Sequence, residues 1–325
     1  MKGILTNLLR ICVSAGLLLL LFYLMRGQYA AIMSALTKTS LSLVMLAILI
    51  FFINIIICTF RLDVLLRGER ISIPFIRLTE LSFIGMFFNN FMPTALGGDI
   101  VKAYYTGRIT GSKAKSYISV FMDRLTGMFS FAFLGLAALI ACWDMVTDPM
   151  IKKGVLVFVL VCVFLAVAFL NVRVARLMFS IFSKIHFRRL GKRLLQVYAM
   201  LHNYRRKKAV LAKTIVISWL AQITYFSVIY ILFLALGVTI SYRIVFLVMP
   251  IICVVSMLPS IGGLGLREGS IVLLFGPITG TQHAFGASIL LFALLFLMSI
   301  IGGIIYNVSP QFRKCHIKGG GLYGK

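Results

Sequence analysis

The chain has 325 residues, 61% of them hydrophobic and 13% charged, with a mean hydropathy of +1.04. A soluble domain of this size is about half apolar and about a quarter charged, so the composition excludes an ordinary cytosolic enzyme and a disordered chain. The net charge of +25 does not point to nucleic acid, because the 33 Lys and Arg residues lie between long apolar runs, where the positive-inside rule puts them.

A spanning helix needs roughly 20 mostly apolar residues. Six stretches qualify, at about 8–25, 41–60, 116–142, 154–171, 214–237 and 284–307. The first follows Lys2 and Arg10 and has no small-residue cleavage site before Arg26, so it reads as a retained helix. A seventh stretch, 78–101, is broken by Met92-Pro93-Thr94-Ala95-Leu96-Gly97-Gly98. Arg61, Arg67, Arg70 and Arg77 precede it, and Lys102, Arg108, Lys113 and Lys115 follow. Two basic flanks put both ends on the cytoplasmic side, which predicts a re-entrant hairpin.

The connection at 143–153, with Asp144 and Asp148, is expected outside. Residues 172–213 hold twelve Lys or Arg and no acid, and are therefore cytoplasmic. Apolar stripes there, such as Val174, Leu177, Ile181 and Ile185, read as amphipathic helices on the inner leaflet; topology-setting charge is the compatible plainer reading. The stretch 244–279 is broken by Leu258-Pro259-Ser260-Ile261-Gly262-Gly263 and has both flanks outside, which predicts a second hairpin of opposite sense. The tail at 311–325 is basic, and both termini come out cytoplasmic.

The expected fold is an all-α integral membrane protein: six transmembrane helices plus two opposed re-entrant hairpins in a single domain over 1–325. The order span, span, hairpin, span occurs twice, in residues 1–150 and again in 151–310. Each half crosses an odd number of times, so the second is inverted, a recurring transporter plan.

Non-helical backbone cannot face lipid, so both Pro–Gly–Gly tips belong at the protein's centre. A half-helix N-terminus there is a seat for an anionic headgroup, unless the glycines merely turn the chain. Asp99, Lys102, Asp123, Arg124, Arg267 and Glu268 fall inside the membrane, where each charge costs about 2.5–3.5 kcal/mol on insertion scales and needs a partner or water. Adjacent helix positions point about 100° apart. Pairing is therefore expected between the repeats, Asp99 or Asp123 with Arg267 and Glu268 with Arg124. Asn89 and Asn90 precede the first tip and either cap it or line a cavity.

The expected substrate-binding or translocation residues are Asn90, Pro93, Gly97, Gly98, Asp99, Lys102, Asp123, Arg124, Pro259, Gly262, Gly263, Arg267 and Glu268. Structural ion-pairing is the alternative role for their charges. The six cysteines show no CxxC spacing, the four histidines are far apart, and no nucleotide-binding or hydrolase motif occurs. No catalytic residue, metal or cofactor is predicted.

The run Asn90 to Asp99 with Lys102, then Asp123-Arg124, then Pro259-Ser260-Ile261-Gly262-Gly263-Leu264-Gly265-Leu266-Arg267-Glu268, resembles the lysylphosphatidylglycerol synthase transmembrane, or flippase-like, membrane protein family. The likeness covers about residues 5–310. It implies a polytopic bacterial or archaeal inner-membrane protein acting on lipid. Family members with an attached synthase domain are thought to flip the aminoacylated phospholipid that domain makes; this chain lacks it, so aminoacyl-lipid synthesis does not carry over. Stand-alone members widen the partners to hopanoid or polyprenyl-linked lipids and a separate lipid-synthesising enzyme. Pro93, Gly97, Gly98, Asp99, Asp123, Arg124, Gly262, Gly263, Arg267 and Glu268 match the family pattern.

The expected function is translocation of an anionic or glycosylated lipid headgroup across the membrane. An intramembrane lipid-modifying enzyme and a non-transporting scaffold of a lipid-synthesis complex are the alternatives.

Overall fold

Inside a bilayer a segment can satisfy its own backbone only as a helix, and every regular element among the described residues is one. The computed structural model describes residues 29–92, 97–141, 207–257 and 263–309, with a few isolated positions besides. The expected spans at 8–25 and 154–171, the basic segment up to residue 206 and both tip loops, with Pro93, Pro259 and Gly262, lie outside the described residues.

Nine helices occur among the described residues: α1 Tyr29–Thr37, α2 Leu41–Gly68, α3 Phe75–Phe91, α4 Gly97–Thr110, α5 Lys113–Ala141, α6 Lys208–Ala235, α7 Tyr242–Val255, α8 Leu266–Thr279 and α9 Thr281–Val308. Four of them, α2, α5, α6 and α9, are long and apolar enough to cross a membrane, and they coincide with the spans expected at 41–60, 116–142, 214–237 and 284–307. At about 1.5 Å per residue, 28 residues reach well beyond a hydrocarbon core of about 30 Å. Their outer faces carry exposed apolar rows: Leu41, Met45, Leu49 and Ile53 on α2, Val216, Leu220 and Ile223 on α6, Leu297, Ile300 and Ile304 on α9. A helix apolar all round has lipid as its solvent, and the chain is a multi-pass membrane protein.

Four further helices, besides the nine-residue α1, are short. The 17 residues of α3 and the 14 each of α4, α7 and α8 cannot cross about 30 Å of hydrocarbon alone.

Contacts at the helix ends set the directions. Lys207 Nζ meets Glu69 Oε1 at 2.6 Å, and the Ser40 N–H donates to the Ala235 carbonyl at 2.9 Å. α2 and α6 are therefore antiparallel along their length. Lys115 Nζ donates to the Glu69 carbonyl at 3.4 Å, so α5 starts where α2 ends. At the other end of the bundle Gly286 packs against Leu236, so α9 starts where α6 ends. Short links then put the outer ends of α3 and α4 at the first end, and those of α7 and α8 at the second.

Packing partners come in matched sets: α3 on α9 and α7 on α5, α4 on α5 and α8 on α9, α3 on α4 and α7 on α8. The most extensive contact joins α2 to α6. The largest apolar cluster includes Phe226, Phe233, Val248, Phe275 and Leu291, drawn from α6, α7, α8 and α9.

Arg61 departs from the expectation that it belongs to a cytoplasmic flank. The helix begun at Leu41 continues through it to Gly68, and Arg61 is buried. A partner inside the bundle, Asp123, makes that placement tolerable.

Glycine sets how closely α9 approaches α3: a Cβ at Gly302 would lie 2.0 Å from the Phe83 carbonyl oxygen. Gly302→Val is expected to lower stability by about 1–3 kcal/mol through overpacking, whereas Gly269→Ala, which meets nothing within 4 Å, should be neutral or slightly stabilising. Thermal unfolding of the two purified variants in detergent distinguishes these outcomes.

Candidate functional site

Lengths and directions together bring the inner ends of the four short helices to the middle of the bundle, around a cavity of about 380 Å³. α2 contributes Asn54, Cys58 and Arg61 to its wall; α3 and α4 contribute Asn89, Asn90 and Lys102. Asp123, Arg124 and Gly127 come from α5, and Gln222 and Tyr225 from α6. The second helix pair adds Cys253, Ser256, Gly263 and Arg267. Four cations therefore face the cavity with one carboxylate.

The charges are held in three groups. Arg61 Nε lies 2.6 Å from Asp123 Oδ1, both side chains nearly buried, and the guanidinium also donates to Ser218 Oγ at 3.1 Å. Gly127 leaves room for it, since a Cβ there would sit 3.2 Å from the guanidinium. Asp99 is shared: Oδ1 meets Lys102 Nζ at 2.9 Å, and Oδ2 faces Arg124 at 3.4 Å without a hydrogen bond. Arg267 donates through Nε and a terminal nitrogen to Glu268 Oε1 at 3.1 and 2.6 Å.

These partners correct the expected exchange between repeats. Asp99 and Asp123 do not pair with Arg267, and Glu268 does not pair with Arg124. The expectation used Cβ directions, which hold for short side chains inside a helix. Arg267 and Glu268 occupy the first turn of α8, where Glu268 folds back and accepts the Gly265 N–H at 2.7 Å through Oε2. That brings the carboxylate over the helix start, within reach of the long neighbouring guanidinium. Asp123 instead meets the arginine that the sequence reading had placed outside the membrane.

The helix starts themselves are partly filled by the protein. The Gly98 N–H donates to Asn89 Oδ1 at 2.7 Å, and Asp99 sits in the first turn of α4. Glu268 does the same for α8. Carboxylates in these positions answer the positive end of each helix dipole. Backbone geometry requires glycine here: a Cβ at Gly98 would fall 1.9 Å from the Gly85 carbonyl oxygen, and Gly263 and Gly265 have φ of +80° and +81°.

Of the expected site residues, Asn90, Lys102, Asp123, Arg124, Gly263 and Arg267 line this one cavity. Asp99 and Glu268 stand behind it as ion-pair partners, and Gly97 and Gly98 are buried at the start of α4. Pro93, Pro259 and Gly262 lie outside the described residues. The residues missed were Arg61, Asn54 and Gln222. Arg61 is two positions from Asp63, at the end of an apolar run, which is what a basic flank also looks like. Asn54 and Gln222 interrupt apolar runs, a weak signal without a partner in view.

Residues 7–303 match the family model described as the lysylphosphatidylglycerol synthase TM region, and the chain belongs to that family. Among curated proteins it is similar to a UPF0104 membrane protein of Pyrococcus horikoshii, 27% identical over 320 residues, covering 89% of this chain and 94% of the relative. Two UPF0104 membrane proteins of Methanothermobacter thermautotrophicus are 24% and 28% identical, covering 86% and 80% of this chain and 88% and 81% of their own lengths. The likeness is to the family's stand-alone form.

Breaking a buried ion pair from one side strands a charge, while replacing both partners by apolar groups is often neutral. Arg61→Met alone is therefore expected to lose about 3–5 kcal/mol, and Arg61→Met with Asp123→Leu to recover most of it. Unfolding midpoints of the two single variants and the double variant give the coupling; additive losses would show that the contact contributes nothing.

Proposed function

We propose that the protein moves an anionic or polar lipid headgroup between the leaflets of the cytoplasmic membrane, the headgroup passing through the central cavity while the acyl chains stay in lipid. The observation that carries this reading is a cavity in the middle of a membrane-spanning bundle, faced by four cations and one carboxylate. Such a wall is expensive in lipid and is worth building for a charged passenger. Membership of the family supports a role in lipid-related processes.

The two short helix pairs serve as opposed re-entrant hairpins, and the residues around them as halves of an inverted repeat. Matched packing sets and the antiparallel course of α2 and α6 support that plan. Movement of one hairpin set against the other would open the cavity to each leaflet in turn. The termini lie in the cytoplasm in this scheme. The sequence contains no nucleotide-binding motif, and a lipid gradient maintained by a separate lipid-synthesising enzyme would supply the drive.

The direct test is leaflet exchange of fluorescent anionic and zwitterionic lipids in liposomes holding the purified protein, with mass spectrometry of the recovered lipids. Wild type is expected to accelerate exchange and return lipids of unchanged mass. Arg124→Gln and Arg267→Gln should slow exchange about tenfold or more, the equivalent of about 1.4 kcal/mol. A chemically altered lipid would establish the enzyme reading instead. Unaltered rates in both variants would remove the cavity from the path.

A second expectation concerns topology. Single cysteines at Thr110 and Thr281, in a background without the native six, should react with impermeant reagent from opposite faces. Same-side labelling would overturn the inverted arrangement.

A further inference from the structure

The two arms of the first helix pair are held differently. α3 is locked to α9 at two glycines: a Cβ at Gly302 would lie 2.0 Å from the Phe83 carbonyl oxygen, and one at Gly303 would lie 2.9 Å from the Phe87 ring. α4 packs instead on α3 and α5. Its inner end is pinned to α3 where Gly98 meets the Gly85 carbonyl. The outer half of α4 is held to the end of α9 by one residue beyond that helix.

That residue is Phe312. Its N–H donates to the Ser309 carbonyl at 3.1 Å, which keeps it close to the end of α9. Its ring is 2% exposed, in a seat formed by Leu81 and Ile84 of α3 and Tyr105 of α4. The Tyr105 hydroxyl donates to the Phe312 carbonyl at 3.2 Å, and the two rings meet edge to face at 5.2 Å. Tyr105 lies three residues beyond Lys102, which lines the cavity. Positions i and i+3 share a helix face, so what holds Tyr105 also holds that part of the cavity wall.

The second helix pair has its own clasp at the other end of the bundle. Ile32 of α1 is buried against Val272 of α8 and Phe285 of α9. Each pair is thus held by a residue that lies outside the four long helices.

We infer that Phe312 is a latch on the first helix pair. Seated, it keeps α4 closed on α3 and shuts the cavity toward the face where α9 ends. Unseated, it frees the outer half of α4 to pivot about Gly98 and open the cavity to that face. One ring and one hydrogen bond make the clasp, few enough contacts for a local opening well short of global unfolding. This rests on the hairpin movement proposed above and adds the element that controls it.

The test reads the reaction rate of Cys58, which lines the cavity. The full chain, with its other five cysteines replaced by alanine, is reconstituted in liposomes and treated with impermeant thiol reagent on the Thr110 face. Phe312→Ala is expected to raise the rate about tenfold, the equivalent of about 1.4 kcal/mol. Tyr105→Phe removes only the hydrogen bond and should raise it about threefold. Phe312→Leu refills the seat and should return the rate close to that of wild type. Ile32→Ala loosens the other clasp and should leave the Cys58 rate from this face unchanged.

Unfolding midpoints of each variant check the fold, and if Phe312→Ala does not fold, Tyr105→Phe carries the test. A rate unmoved by the Phe312 and Tyr105 variants, or raised as much by Ile32→Ala, would overturn the latch. Leaflet exchange run beside it separates the two readings. Faster labelling with no lipid exchange in any variant would overturn translocation alone, and exchange with unmoved labelling would overturn the latch alone.

Discussion

A charge placed in lipid has to be matched before the helix that bears it can stay there, and the centre of this protein is organised around that requirement. Arg61 and Asp123 are contributed by different spanning helices and meet at 2.6 Å. Their pairing ties α2 to α5, and through Ser218 to α6. Of the remaining charges around the cavity, Arg124 lies on α5, while Asp99, Lys102, Arg267 and Glu268 lie on the short helices α4 and α8, where Asp99 and Glu268 also answer the helix dipoles. Electrostatic matching and helix capping are thus accomplished by the same carboxylates.

The cavity follows from lengths rather than from any single residue. Helices of 14 to 17 residues are too short to cross a bilayer alone, and their inner ends meet inside the bundle. Surrounded by the long helices, those ends enclose polar space. Glycine makes the enclosure tight: Gly98 against the Gly85 carbonyl and Gly302 against the Phe83 carbonyl let backbones meet at distances any side chain would forbid. The same closeness that shapes the cavity also holds α3 between α4 and α9.

The proposed function draws on the charged side chains that line the cavity. Here one carboxylate serves two cations, and Arg124, the more exposed of the arginines in the shell, turns part of its surface to the cavity. In the proposed function a headgroup meets these side chains from either leaflet as the two helix pairs move in turn.

The sequence by itself determined the solvent, the all-helical class and the positions of four spans, because apolar run length acts locally and needs no partner. The spans at 41–60, 116–142, 214–237 and 284–307 were legible for that reason, as were the breaks at the two Gly–Gly motifs. The gathering of Asn90, Lys102, Asp123, Arg124, Gly263 and Arg267 around one space followed from the idea that broken helices must be buried. Partner choice was decided only by the tertiary structure. Arg61 read as a flank until Asp123 was found opposite it, and Arg267 and Glu268, read as poor partners for each other, pair because the first turn of α8 bends the carboxylate back over its own start. Which charge faces which is set by distances between segments far apart in the chain, and no local pattern encodes them.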